Sequence, residues 1–217
     1  RHLIDESSGD DARIVSAVPY FYLGLSAGVR DVWGGADLVL GRYARFIAMT
    51  QQWPRDAILV APTLRHLSPL LGMLRLRHVL HVEGDRVTLV PTHLRELPRA
   101  VLMSHWQVFA SPEQALAAMS DPAFDPERVV LLENDPDLVA VDSDQPGTVS
   151  VTDVSTDELD VRAEVAWPAV LLITDNYSAG WRATPLPGSS ARSYRVLPAN
   201  YTLRAIPLPA GSHHFRL

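Results

Sequence analysis

Cysteine and lysine are both absent from this 217-residue chain. Without cysteine there is no disulfide framework and no thiolate metal site, an absence that fits a periplasmic compartment as well as a cytoplasmic one. Without lysine, all 19 basic residues are arginine, set against 25 Asp and Glu for a formal net charge of −6. No lysine-rich patch exists to track a nucleic-acid backbone, which argues against nucleic acid as a partner. Position 1 is not methionine, no basic-then-apolar leader opens the chain, and no apolar run approaches the roughly 20 residues that span a bilayer. The expectation is a soluble piece cut from a longer protein.

What is present is an ordinary globular mix, 47% hydrophobic and 20% charged, so a packed core is expected. The length suits one large domain or two small ones, and the pattern favours two. An α+β fold is expected, with a mixed α/β subdomain over 1–135 and an antiparallel β-sandwich over 136–217. In the first, a strand is predicted from Arg13, amphipathic helices over Ala36–Met49 and Pro62–Leu74, and a hairpin turning at Glu83-Gly84-Asp85. Strands follow at Arg99–Met103 and Trp106–Ala110. A helix then runs from Ser111, where Ser caps, Pro112 suits the first helical position and Glu113 faces the positive end of the dipole. The acidic, turn-rich stretch from Glu133 to Gly147 marks the boundary. Beyond it, seven strands are predicted: Thr148–Ser155, Glu158–Ala166, Ala169–Thr174, Trp181–Thr184, Ser193–Leu197, Tyr201–Pro207 and Ser212–Leu217.

The run Leu171-Leu172-Ile173-Thr174-Asp175-Asn176-Tyr177-Ser178-Ala179-Gly180-Trp181-Arg182-Ala183 carries a resemblance, together with Pro198-Ala199-Asn200-Tyr201 and the Pro209-Ala210-Gly211 turn. These segments resemble the C-terminal extracytoplasmic region of the YfhO family of bacterial membrane proteins. There, an apolar strand enters an aromatic-Pro-Gly-Trp turn, and an Ala-Asn-Tyr strand follows. Upstream, Phe124-Asp125-Pro126-Glu127-Arg128 and Leu70-Leu71-Gly72-Met73 look like the preceding module. Ala179 departs from the family's proline, and Thr184-Pro185-Leu186-Pro187-Gly188 replaces its Asp-Gly hairpin. The resemblance implies a parent of the GT-C glycosyltransferase type with many transmembrane helices. Such a parent uses a polyprenyl-phosphate sugar on a cell-envelope glycan outside the cytoplasm, tethered to the cytoplasmic membrane. Its catalytic carboxylate would precede Arg1, leaving this region accessory: packing against the transmembrane region of the same chain, binding acceptor glycan or covering the active site, with no cofactor and no catalytic residue of its own. A stand-alone carbohydrate-binding or adhesion module is the alternative.

Tyr177 and Trp181, with Asp175, Asn176 and Arg182 beside them, can stack on a sugar ring and hydrogen-bond its hydroxyls. The competing reading packs both rings into the core. Gly24-Leu25-Ser26-Ala27-Gly28 matches a nucleophile elbow, with Asp175 and His213 as formal partners, but two glycines stand where the following helix must run. His78 and His81 point to opposite faces of a predicted strand, and His213 and His214 are expected at the surface, so no zinc site is predicted. The aspartates from Asp135 to Asp160 lack calcium-loop spacing and read as a solvated loop.

Overall fold

The computed structural model describes residues 12–16, 30–32, 40–54, 64–84 and 86–217. Among the described residues the fold is β-rich, 40% strand and 13% helix. It divides into two compact units, Arg1–Leu97 and Pro98–Leu217. The boundary expected at 135/136 therefore runs through the second unit. Among the described residues no helix is long and apolar enough to cross a membrane.

In the first unit, β1 (Arg13–Ser16) pairs in parallel with β2 (Leu76–Glu83), which turns back into antiparallel β3 (Arg86–Pro91). Glu83 opposes Arg86 across the predicted hairpin, and Gly84 takes the positive φ of +58° that such a turn requires. Asp85 lies outside the described residues. Helix α1 (Gly41–Thr50) buries Tyr43, Phe46, Ile47 and Thr50, an i, i+3, i+4, i+7 stripe. The Tyr43 hydroxyl donates to the Val32 carbonyl, and burial pushes its phenol well above the usual tyrosine range, with Arg13 opposing. Just past α1 the buried Gln51 amide clips a neighbouring segment, its Oε1 accepting from the Arg65 and His66 amides while Nε2 donates to the His66 carbonyl. The helix predicted over Pro62–Leu74 is instead a short 3-10 turn at Pro69–Leu74, capped by Ser68; residues 62 and 63 lie outside the described set.

The second unit holds β4 (Ala100–Met103), β5 (Trp106–Val108), α2 (Pro112–Ala118), β6 (Val130–Leu132), β7 (Gly147–Ser155), β8 (Glu158–Val165) and β9 (Ala169–Asn176). It continues with β10 (Thr184–Pro185), β11 (Leu197–Ala199), β12 (Leu203–Leu208) and β13 (Gly211–Arg216). One sheet runs β10-β13-β8-β7 and is wholly antiparallel. The other runs β4-β9-β12-β11-β6-β5 and is mixed, because β5 and β6 pair in parallel. Strands expected to belong to a separate mixed subdomain thus share a sheet with the C-terminal strands. Ser111 caps α2 as its sequence predicts, accepting from the Gln114 amide at 3.3 Å.

The sheets contribute to one apolar cluster. Leu159, Val161, Ala163, Val165 and Phe215 come from the four-stranded sheet, and Leu102, Ala169, Leu171, Ile173, Ile206 and Leu208 from the six-stranded one. Period-2 alternation along β8 buries its apolar residues and leaves Arg162 and Glu164 exposed. Along β9 every residue from Ala169 to Asp175 is buried, so no alternation is visible there. Burying Phe215 is worth roughly 2–3 kcal/mol, against about 1 kcal/mol or less for a partly exposed ion pair such as Arg216 with Glu158. The core face therefore sets the register of β13. That same register buries His213, which is only 2% exposed, correcting the expectation that both terminal histidines lie at the surface. Its ring nitrogens meet the Tyr194 hydroxyl at 2.9 Å and the Pro209 carbonyl at 2.8 Å. Tyr194 also bonds Ser189, and burial raises its phenol above the usual range.

The acidic stretch after β6 is docked within the second unit. Arg195 bonds the Asp137 carboxylate at 2.6 Å and the Asp135 carbonyl, and His105 lies 3.2 Å from Asp142. The strand predicted from Ser193 starts only at Leu197.

Candidate functional site

The chain leaves β9 at Asn176 and enters a turn in which the Trp181 amide donates to the Ser178 carbonyl at 3.3 Å. The Gly180 amide donates to the Ser178 hydroxyl, and Arg182 Nη1 donates to the carbonyls of Ala179 and Trp181 at 2.6 and 2.8 Å. The strand predicted over Trp181–Thr184 is therefore a turn followed by two strand residues, since a short hydroxyl side chain and a glycine satisfy the backbone locally.

Register slips beside this turn. Arg204 opposes Ile173 while the adjacent Leu203 opposes Asn176, leaving Thr174 and Asp175 as extra residues on β9. Such a bulge re-aims side chains. Here the Asp175 carboxylate is buried between two guanidiniums, with Oδ2 3.2 Å from Arg99 Nε and 3.2 Å from Arg204 Nη2. Arg99 grips Asp153 through its other nitrogens at 2.6 and 2.9 Å. Arg204 is 3% exposed, and its guanidinium lies 3.9 Å from the centroid of the Trp181 ring, a cation–π contact.

Trp181 is half-buried and packs against the apolar cluster. It also lines an open depression of about 440 Å³ together with Asp157, Glu158, Arg182, Thr184 and Arg216. Glu158 and Arg216 pair within its lining at 3.0 Å. Of the five residues singled out in the sequence, the structure thus brings Trp181 and Arg182 to one surface. Asp175 sits behind Trp181 as part of its support. Asn176 and Tyr177 are half-buried and absent from the lining, and the Tyr177 amide is tied to the Thr202 carbonyl at 2.7 Å. Asn200 and Tyr201 are buried. Glu158, Thr184 and Arg216 are not singled out by the sequence, and Asp157 enters only among the aspartates read as a solvated loop, because their convergence depends on how β8, β10 and β13 pair rather than on any local motif.

The hydrolase arrangement is not assembled from the expected partners. Gly24 to Gly28 lie outside the described residues. Asp175 is committed to Arg99 and Arg204, and His213 to Tyr194 and Pro209, so the aspartate–histidine limb of a triad is missing. A different contiguity occurs at Ser104, 3.1 Å from His105 Nδ1, with Asp142 at His105 Nε2. Ser104 is buried and donates its hydroxyl proton to the Ser143 carbonyl at 2.7 Å, so that proton is not directed at the imidazole. His78 and His81 fall on opposite faces of β2, as their odd spacing predicts. Among the described residues no three His, Asp or Glu side chains converge as metal ligands.

Comparison of the chain with family models, curated proteins and solved structures gives no match.

Proposed function

We propose that this chain is an extracytoplasmic accessory region of a polytopic membrane glycosyltransferase of the YfhO-like, GT-C type. In this reading, its second unit is a β-sandwich that holds an acceptor glycan of the cell envelope beside the membrane-embedded catalytic cavity. The resemblance through Leu171–Ala183 and Pro198–Tyr201 supplies the family, and one observation carries the role: the aromatic of that shared segment, Trp181, lines an open depression ringed by hydrogen-bonding side chains. An indole beside carboxylates and guanidiniums is the pairing that sugar rings require, an apolar surface for their C–H faces and polar groups for their hydroxyls. Catalysis belongs to the transmembrane part, and this region contributes binding and orientation.

The test uses the complete gene product in membranes. The reading predicts many apolar spans of about 20 residues around this region, and transfer from a polyprenyl-phosphate sugar that Trp181→Ala impairs mainly through acceptor KM. A gene product without such spans would end the membrane-enzyme reading. It would leave the stand-alone carbohydrate-binding module, which the same depression favours because every residue lining it belongs to the second unit.

A further inference from the structure

We infer that the depression at Trp181 selects uncharged glycans over anionic or cationic ones. This rests on the glycan-binding reading above and specifies its ligand class from the charge arrangement of the lining. Four formally charged side chains border the depression, Asp157, Glu158, Arg182 and Arg216, and their charges cancel. Glu158 and Arg216 are joined at 3.0 Å, and Arg216 Nη2 lies a further 3.6 Å from Asp160. Arg182 spends Nη1 on the Ala179 and Trp181 carbonyls, which holds its head against the turn. Asp157 accepts from the Ser155 hydroxyl at 2.8 Å.

An anionic sugar docking here meets two carboxylates, and to gain Arg216 it must displace Glu158 and come close to Asp160. A cationic sugar meets Arg182 and Arg216, and to gain Glu158 it must displace Arg216. A neutral pyranose faces neither obstacle, since each hydroxyl both donates and accepts and so bridges a carboxylate and a guanidinium without breaking their pairing. Ser178 and Thr184 add uncharged hydroxyl-bearing residues to the lining, and Trp181 supplies the apolar surface. Selection against charge of either sign follows from a lining that is polar but electrically balanced.

Calorimetric titration of the 217-residue chain with matched trimers tests this, the chain carrying a C-terminal amide because Leu217 also lines the depression and a carboxylate there would upset the balance. Cellotriose and tri-N-acetylchitotriose serve as neutral probes, trigalacturonic acid as the anion and chitotriose with free amines as the cation. The expected result is saturable binding of at least one neutral trimer, at least tenfold tighter than either charged trimer. Its affinity should change less than twofold between 50 and 500 mM NaCl and fall at least tenfold in Trp181→Ala. Glu158→Gln, with its fold checked by near-ultraviolet circular dichroism, should shift preference toward trigalacturonic acid, a change that a purely structural role for Glu158 does not produce. If a charged trimer binds as well as or better than the neutral ones, selection for neutral glycans is overturned while glycan binding stands. If none of the four trimers binds, or if Trp181→Ala binds normally, the glycan-site reading falls with it.

Discussion

The guanidinium of Arg204 is held between the ring of Trp181, 3.9 Å from its centroid, and the carboxylate of Asp175, 3.2 Å from Oδ2. The charge on Asp175 therefore stabilises the support on which the Trp181 side of the depression rests. Removing a buried ion-pair partner is costly, roughly 3–5 kcal/mol, because the remaining charge stays desolvated. Loss of a partly exposed indole, with its cation–π contact and its partial packing on the apolar cluster, costs less, about 2–3 kcal/mol. Asp175→Ala is accordingly expected to lower urea stability, followed by far-ultraviolet circular dichroism, more than Trp181→Ala does. The order reverses for glycan affinity, where Trp181→Ala is the stronger loss. Equal stability losses in the two variants would contradict this division of roles.

Asn200 stands at the turn between β11 and β12 with φ of +41°, followed by Tyr201 at +63°. Its amide donates to the Leu131 carbonyl and its side-chain Oδ1 accepts from the Leu131 amide, both at 2.8 Å. The side chain thereby completes a two-bond bridge to β6. Asn200→Ala leaves the buried Leu131 amide unpaired and adds strain at a left-handed position, for an expected loss of about 2–3 kcal/mol. Asn200→Gly removes the side chain without the left-handed strain, and its loss should be smaller. Chemical denaturation of the two variants checks the order.

At Gly147 a Cβ would stand 2.1 Å from the Glu164 carbonyl oxygen, a backbone atom of β8. Neither strand yields easily, so Gly147→Ala should disrupt the start of the β7–β8 ladder. Amide hydrogen exchange is expected to quicken at Thr148 and Glu164, which face each other in the ladder, while remaining native in β9.

Asp160 accepts from His214 at 3.1 Å, and that bond, with the charges of His214, Arg162 and Arg216, holds its carboxyl below the ordinary aspartate value of 3.8. A carboxyl lowered in the folded state favours folding above its unfolded value, and this contribution disappears as pH falls through the folded value. The stability difference between the native chain and Asp160→Asn should be present at pH 7, at about 1 kcal/mol, and be lost as pH falls through the folded value. A difference larger in strong acid than at pH 7 would reverse the assigned sign.

Local periodicity made much of the secondary structure legible. The β2–β3 hairpin, the Ser111 cap, and strands β7, β8, β9 and β13 follow from alternation, turn residues and capping chemistry that act over a few positions. The division of the chain was not legible, because the acidic turns after β6 have linker composition yet are bound by Arg195 and His105, partners distant in sequence. The site was half legible for a similar reason. Trp181 and Arg182 share a motif, but the inward turn of Asp175 comes from a bulge visible only once β9 pairs with β12. Asp157, Glu158 and Arg216 join the depression through strand pairing. His213 was misplaced because period-2 alternation in β13 assigns one of two adjacent histidines to the core, and only the burial of Phe215 identifies which.

The most direct test of the account titrates the isotopically labelled chain with the tightest-binding neutral trimer and follows backbone amides and indole N–H signals by NMR. The account predicts saturable shifts of the Trp181 indole and of the amides of Asp157, Ser178, Gly180 and Thr184, with the first unit unchanged. Saturable shifts clustered elsewhere, with the Trp181 indole unmoved, would contradict it.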